Sequence, residues 1–134
     1  MMSDAPLITG IEHVQVAIPP GGEDRARAFY GATLGLPEVA KPENLAARGG
    51  CWFACGSQQI HCGVEPVVAR SRRHPALRVH GIHQLRERLV SAGYATADDL
   101  PLPGYFRFYA TDPFGNRIEF LEPETKPEAP NATR

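Results

Sequence analysis

The chain has 134 residues, with 14 Lys and Arg against 15 Asp and Glu for a formal net charge of −1, and 43% of it is hydrophobic. That is enough for one compact domain or two small modules sharing a core, and near-neutrality removes any broad electrostatic pull toward nucleic acid or an anionic membrane. No apolar run reaches the about 18 residues of a membrane span, and MMSDAPLITGIE lacks the basic and apolar regions of an export signal; a cytoplasmic protein with no nucleic-acid or membrane partner is expected.

The first periodic element is GIEHVQVAI, residues 10–18, where His13, Gln15 and Ala17 share one side of a strand and Val14, Val16 and Ile18 the other. PPGG breaks it. EDRARAFYGATLG, residues 23–35, then sets Ala26, Phe29, Tyr30 and Leu34 at helical spacing, with Gly35 as a stop. Strands are predicted at 36–41, 50–56 and 58–64, the last two joined by a tight Gly-Ser turn. Of Trp52 and Phe53, one should pack under the helix and the other line the opposite face, and Trp52 is the choice for the core. Cys51, Cys55 and Cys62 are an odd number in a chain without export features. Reduced, buried thiols are expected, with a thiolate metal site as the alternative.

After the basic connector PVVARSRR the order restarts. PALRVHG reads as a strand, IHQLRERLVSAG as a helix with Leu85, Leu89 and Val90 on its apolar stripe, and YATADDLPLPG as a weak edge strand or loop. YFRFYAT (105–111) and RIEFLE (117–122) are strands joined by the turn DPFGN. The Pro- and charge-rich residues 124–134 are expected to be a disordered tail. The pattern is βαβββ twice, at a spacing of about 60 residues. The expectation is an α+β domain over residues 7–123, with modules at about 7–65 and 74–123, forming a curled mixed sheet around a cavity with the helices outside.

Inward positions of such a sheet are where chemistry is sought. Glu119, between Ile118 and Phe120, must be paired, ligating or at a cavity wall, because an unpaired buried charge costs several kcal/mol. His13, His61 and His74 are of types that bind divalent metals; each could instead be a hydrogen-bonded strand residue or, for His74, a solvent-facing end of the connector. Gln15, Trp52, Arg78, Arg107 and Tyr109 are candidate ligand contacts, and an arginine there would hold a carboxylate or phosphate. A phosphate-cradling Gly-rich loop and a nucleophilic serine elbow are absent from the sequence.

IEHVQVAI, ARAFYGATLGLPEV, QQIHCGVEP, HPALRVHGIHQLRERLVSAG and FRFYATDPFGNRIEFLEP together resemble the glyoxalase/bleomycin-resistance/extradiol-dioxygenase (vicinal oxygen chelate) family over about residues 8–123. The resemblance implies metal ligands on the first and fourth strands of each module, at His13, His61, His74 and Glu119. His61 departs from the carboxylate usual in glyoxalase I enzymes and the glutamine frequent in epimerases. The implied cofactor is a divalent metal: zinc, nickel, iron or manganese. The implied function is a lyase, isomerase or dioxygenase acting on a small oxygen-rich metabolite, with Glu119 as the catalytic base and a homodimeric assembly. A metal-free protein sequestering an antibiotic or aromatic ligand is the alternative, favoured by the aromatic set Trp52, Phe53, Phe106, Phe108 and Tyr109.

Overall fold

A computed structural model describes residues 5–66 and 68–124. The chain separates into two compact units, Met1–Val67 and Val68–Arg134. Except for Glu124, the expected tail lies outside the described residues.

In the first unit β1 (His13–Ile18) is followed by one α-helical turn, α1 (Glu23–Ala26), that runs into a π-helical stretch, Arg27–Thr33. Then come β2 (Glu38–Val39), a short α2 (Glu43–Ala46), β3 (Cys51–Cys55) and β4 (Gln58–Val64). The sheet order is β1-β4-β3-β2, with β1 parallel to β4 and the other pairs antiparallel. Alternation decides the faces. Val16, Ile18, Phe53, Ile60, Cys51 and Cys62 are buried. They lie on the side where Tyr30 meets Phe53, with ring centroids 5.9 Å apart. Phe53 is fully buried and Trp52 only partly, so the core aromatic of this pair is Phe53, and Trp52 points to the other face. All three thiols are free. The π-helical wind shows in hydrogen bonds five residues apart: the Leu34 N–H and the Thr33 hydroxyl donate to the carbonyls of Phe29 and Ala28. Gly50, at φ 84°, is required where it stands, because a Cβ there would lie 2.2 Å from the Cys62 carbonyl oxygen.

The second unit holds β5 (Ala76–Arg78), α3 (Ile82–Ser91), β6 (Thr96–Ala97), β7 (Tyr105–Thr111) and β8 (Arg117–Pro123), in sheet order β5-β8-β7-β6 with β5 parallel to β8. Phe108, Ile118 and Phe120 pack beneath α3, whose buried residues are Ile82 and Leu89. Val90, next to Leu89 and about 100° further round the helix, is exposed rather than part of the apolar stripe. Glu122 on the same sheet face accepts hydrogen bonds from the Gly81 and Ile82 N–H groups, satisfying two donors that the start of α3 leaves open. The DPFGN turn is held by Asp112, whose carboxylate accepts from the Phe114 and Asn116 backbones at 2.9 and 2.8 Å.

The expected curled sheet around a cavity is not what forms. The strands make two separate four-stranded sheets, and neither is closed or strongly curled. Each first strand pairs in parallel with the last strand of its own module, and the far edges, β2 and β6, have only two residues each. Ladders so short cannot carry a sheet round on itself.

Candidate functional site

In the first unit the sheet face turned away from the helical segment carries Gln15, His61 and Trp52 in one register row across β1, β4 and β3. His61, on the middle strand, stacks on Trp52 with centroids 3.8 Å apart and planes 1° from parallel. On its other side His13 stacks at 4.0 Å and 16°. His61 Nε2 is hydrogen-bonded to Gln59 Oε1 at 2.8 Å, and His13 Nδ1 to Glu12 Oε1 at 2.7 Å. Burial pushes the His61 imidazole below the ordinary histidine value, and the neighbouring His13 adds to the shift. Gln15 lies across Gly63, where a Cβ would come 2.4 Å from Gln15 Nε2, so the glycine opens the space the amide fills.

The equivalent face of the second unit is ionic. Glu119, 6% exposed, presents Oε1 to His74 Nε2 at 3.0 Å and accepts at Oε2 from Arg107 Nη1 at 3.0 Å. Arg107 also donates from Nη1 to the Tyr109 hydroxyl at 2.7 Å, and from Nε and Nη2 to the Leu100 carbonyl. The Arg117 guanidinium carbon sits 3.7 Å from the centroid of the Tyr109 ring. His74 meets the same ring edge-on at 5.4 Å. Arg78 shares the face of Arg107 across Leu121, but it is exposed and stands outside this network.

The histidine tautomer is decided by geometry. His74 Nδ1 lies 2.9 Å from the Arg72 carbonyl, which can only accept, so Nδ1 carries the proton. In the neutral ring Nε2 then turns a lone pair toward a carboxylate oxygen. Two acceptors 3.0 Å apart are stable only with a proton or a cation between them. Two donors on one zinc-like ion are separated by about 3 Å, and a histidine whose Nδ1–H is held by a backbone carbonyl is the usual state of a metal-bound imidazole. The His74–Glu119 contact is thus closed either by a proton on Nε2, as an imidazolium–carboxylate pair, or by a cation held by the two side chains. Among the described residues no group of three or more His, Cys, Asp or Glu side chains is placed to hold a metal ion. His13 and His61 are brought together in their own unit as stacked rings.

Sequence reading missed Gln59, Glu12 and Arg117 as partners of these groups. Arg117 was within reach of it, since it alternates in phase with Glu119 and stands opposite the neighbouring strand that carries Tyr109.

Residues 10–120 match the Glyoxalase/Bleomycin resistance protein/Dioxygenase superfamily. The chain belongs to that superfamily. A glyoxalase-family protein of Bacillus anthracis is 51% identical, with 90% of this chain and 99% of that one covered and a TM-score of 0.85. The antibiotic-binding protein TnmS3 from Streptomyces sp. CB03234 is 20% identical over 90% of this chain and all of its own, with a TM-score of 0.70. FosX, the fosfomycin resistance protein of Listeria monocytogenes, in its complex with Mn(II) and sulfate, is 15% identical over 87% and 92%, at 0.71. These last two share the superfamily's fold. No functionally curated protein matches the chain. Among the described residues no helix is long and apolar enough to cross a membrane.

Proposed function

We propose that the protein is a divalent-metal-dependent enzyme of this superfamily, a lyase, isomerase or dioxygenase acting on a small oxygen-rich metabolite. One observation carries this: His74 Nε2 stands 3.0 Å from Oε1 of the buried Glu119 carboxylate while its Nδ1 is held by the Arg72 carbonyl, an imidazole and a carboxylate converging as two ligands of one ion do. His74 and Glu119 would hold the ion, which when bound polarises a substrate carbonyl or gathers vicinal oxygens. Glu119 is the acid/base group and accepts a substrate proton at a carboxylate oxygen. Its near-complete burial keeps water from competing for that oxygen. Tyr109 is fixed by Arg107 and Arg117, and with them forms the wall against which a substrate is oriented. Zinc, manganese, iron and nickel all suit an imidazole and a carboxylate, and the FosX complex with Mn(II) is a precedent on this fold.

A second proposal, metal-free binding of an aromatic ligand, is favoured by the Trp52–His61–His13 ring stack, whose planar surfaces suit a flat molecule. TnmS3 is the precedent there. A cytoplasmic location and pairing into a homodimer belong to the same picture, and the mass of the purified protein in solution checks the second.

The test is elemental analysis of protein purified without chelator, beside the His74→Ala and Glu119→Ala variants. About one equivalent of divalent metal per chain, lost in both variants, is expected. No metal after zinc, manganese, iron and nickel are each supplied would sink the enzyme proposal. Quenching of Trp52, the chain's one tryptophan, by aromatic ligands would then decide the second.

A further inference from the structure

The helix side of the first sheet holds a contact that filling space does not require. Cys51 and Cys62 stand directly opposite each other on the antiparallel strands β3 and β4, and their thiols are hydrogen-bonded to each other. Directly opposite residues of antiparallel strands have Cα atoms about 4.5–5.5 Å apart, inside the roughly 4.4–6.8 Å that disulfides span. Neither residue is in a disulfide. Cys55, on the same side of β3, is registered against Gln58 instead, so the sheet selects one pair among the three cysteines. The hydrogen bond from Cys62 holds the Cys51 thiol below its ordinary value against the opposing effect of burial, and the Arg27 guanidinium adds to the shift. Both residues are 1% exposed. Cys51, the first residue of β3, nevertheless lies beneath a charged rim: Arg27 and Glu38, which act on it electrostatically, have side chains 44% and 41% exposed.

We infer that Cys51 and Cys62 form a modification site, a dithiol that a small hydroperoxide closes to a disulfide tying β3 to β4. The Cys51 thiolate attacks one peroxide oxygen: the S–O bond forms, the O–O bond breaks, and an alcohol or water leaves with the proton that Cys51 gave up. The Cys62 sulfur then attacks the sulfur of the sulfenic acid, the S–S bond forms, and the hydroxyl departs as water with the Cys62 proton. The two thiols lose two electrons and the peroxide takes them up. Because the second thiol is already in contact with the first, the sulfenic acid meets Cys62 before it meets another peroxide. The bond lies under the ring row, since Cys51 adjoins Trp52 and Cys62 adjoins His61, whose rings stack on the other face of the sheet. In a compartment kept reducing by thiols such a bond is transient. No ion at Glu119 is needed for this chemistry, which stands apart from the enzyme proposed above.

Hydrogen peroxide is the probe, at a concentration that oxidises the urea-unfolded chain. Native wild-type protein, treated and then denatured for counting, should fall from three titratable thiols to one. Its mass should drop by two hydrogens, and peptide mapping should find a single cross-link, Cys51 to Cys62. Dithiothreitol should restore all three thiols. The chain oxidised in urea, where no register holds the strands, should give a mixture of pairings that includes Cys55. Cys55→Ser should form the same cross-link as wild type, and Cys62→Ala should form no intramolecular bond; the wild-type result stands even if neither variant folds. Native protein that keeps all three thiols, while the unfolded chain loses them, would overturn the inference and leave the pair as space-filling. So would a native cross-link to Cys55, or oxidation of Cys51 to a sulfinic acid with no cross-link.

Discussion

Gln15, His61 and Trp52 in the first unit occupy the register row that Ala76, Glu119 and Tyr109 occupy in the second, and His13 stands two residues before that row as His74 does. The backbone plan is shared, yet one row is a stack of rings and the other an ion network. The rings stack on one another at 3.8 and 4.0 Å, and the carboxylate beside them, Glu12 on His13, is exposed. A buried carboxylate must recruit a counter-ion, which is why Arg107 and His74 both converge on Glu119. The helix-facing sides differ in a complementary way. Where the first unit has the small pair Cys51 and Cys62, the second has Phe108 and Phe120, and where the first has Phe53 the second has Ala110. The buried thiols are therefore fillers set by volume, each module distributing bulk differently under its own helix.

If the rows differ in this way, they should break differently. The largest effect is expected from Glu119→Ala, which takes from Arg107 and His74 the carboxylate they share: the fall in unfolding free energy should exceed that of the other variants below. Urea denaturation at neutral pH measures it, and a loss below about 1 kcal/mol would show the pair to be screened like a surface bridge. In the other row Trp52→Leu keeps an apolar side chain of moderate size and removes the stacking on His61. The expected cost is about 0.5–1.5 kcal/mol, with a larger value pointing to Trp52 as a core residue after all.

Much of the fold was legible because the local signals agreed. The strand at 58–64, the strand at 105–111 and the Gly-Ser turn follow from alternation and from Gly56 supplying a positive φ of 60°. The π-helical wind of Arg27–Thr33 was not legible, since Ala26, Phe29 and Tyr30 suit either helical period, nor was α2, a single turn with no buried residue. At the site, alternation placed His61 and Glu119 on the right faces. It could not say that Gln59 would take His61 Nε2 or that Arg107 would reach Glu119, because those depend on side-chain reach across strands. The curled sheet failed for a related reason: pattern identifies strands, while closure depends on how long the edge strands grow, and β2 and β6 stop at two residues.

The smallest expected effect separates the rows by pH. The His61 imidazole lies below its ordinary value first because of burial and then because of His13, with Glu12 opposing. In the unfolded chain it titrates near its ordinary value of 6.5. Between that value and the lower folded one, the unfolded state binds more protons, so stability rises with pH there. The contribution of neutral, stacked His61 is fully present above about pH 6.5 and declines as the pH falls toward the folded value. Glu23, whose carboxyl is held below its ordinary 4.5 chiefly by the Gly50 N–H, loses its contribution only in more acid solution, so it does not overlap the window from about pH 7 to 5 in which the His61 shift acts. His61→Gln can still bond to Gln59 and cannot titrate. Its melting temperature should therefore fall less steeply than that of wild type across the window. Equal slopes would mean that the His61 ring takes up a proton in the stack as readily as in water, and the contrast with the ionic row would then rest on Glu119 alone.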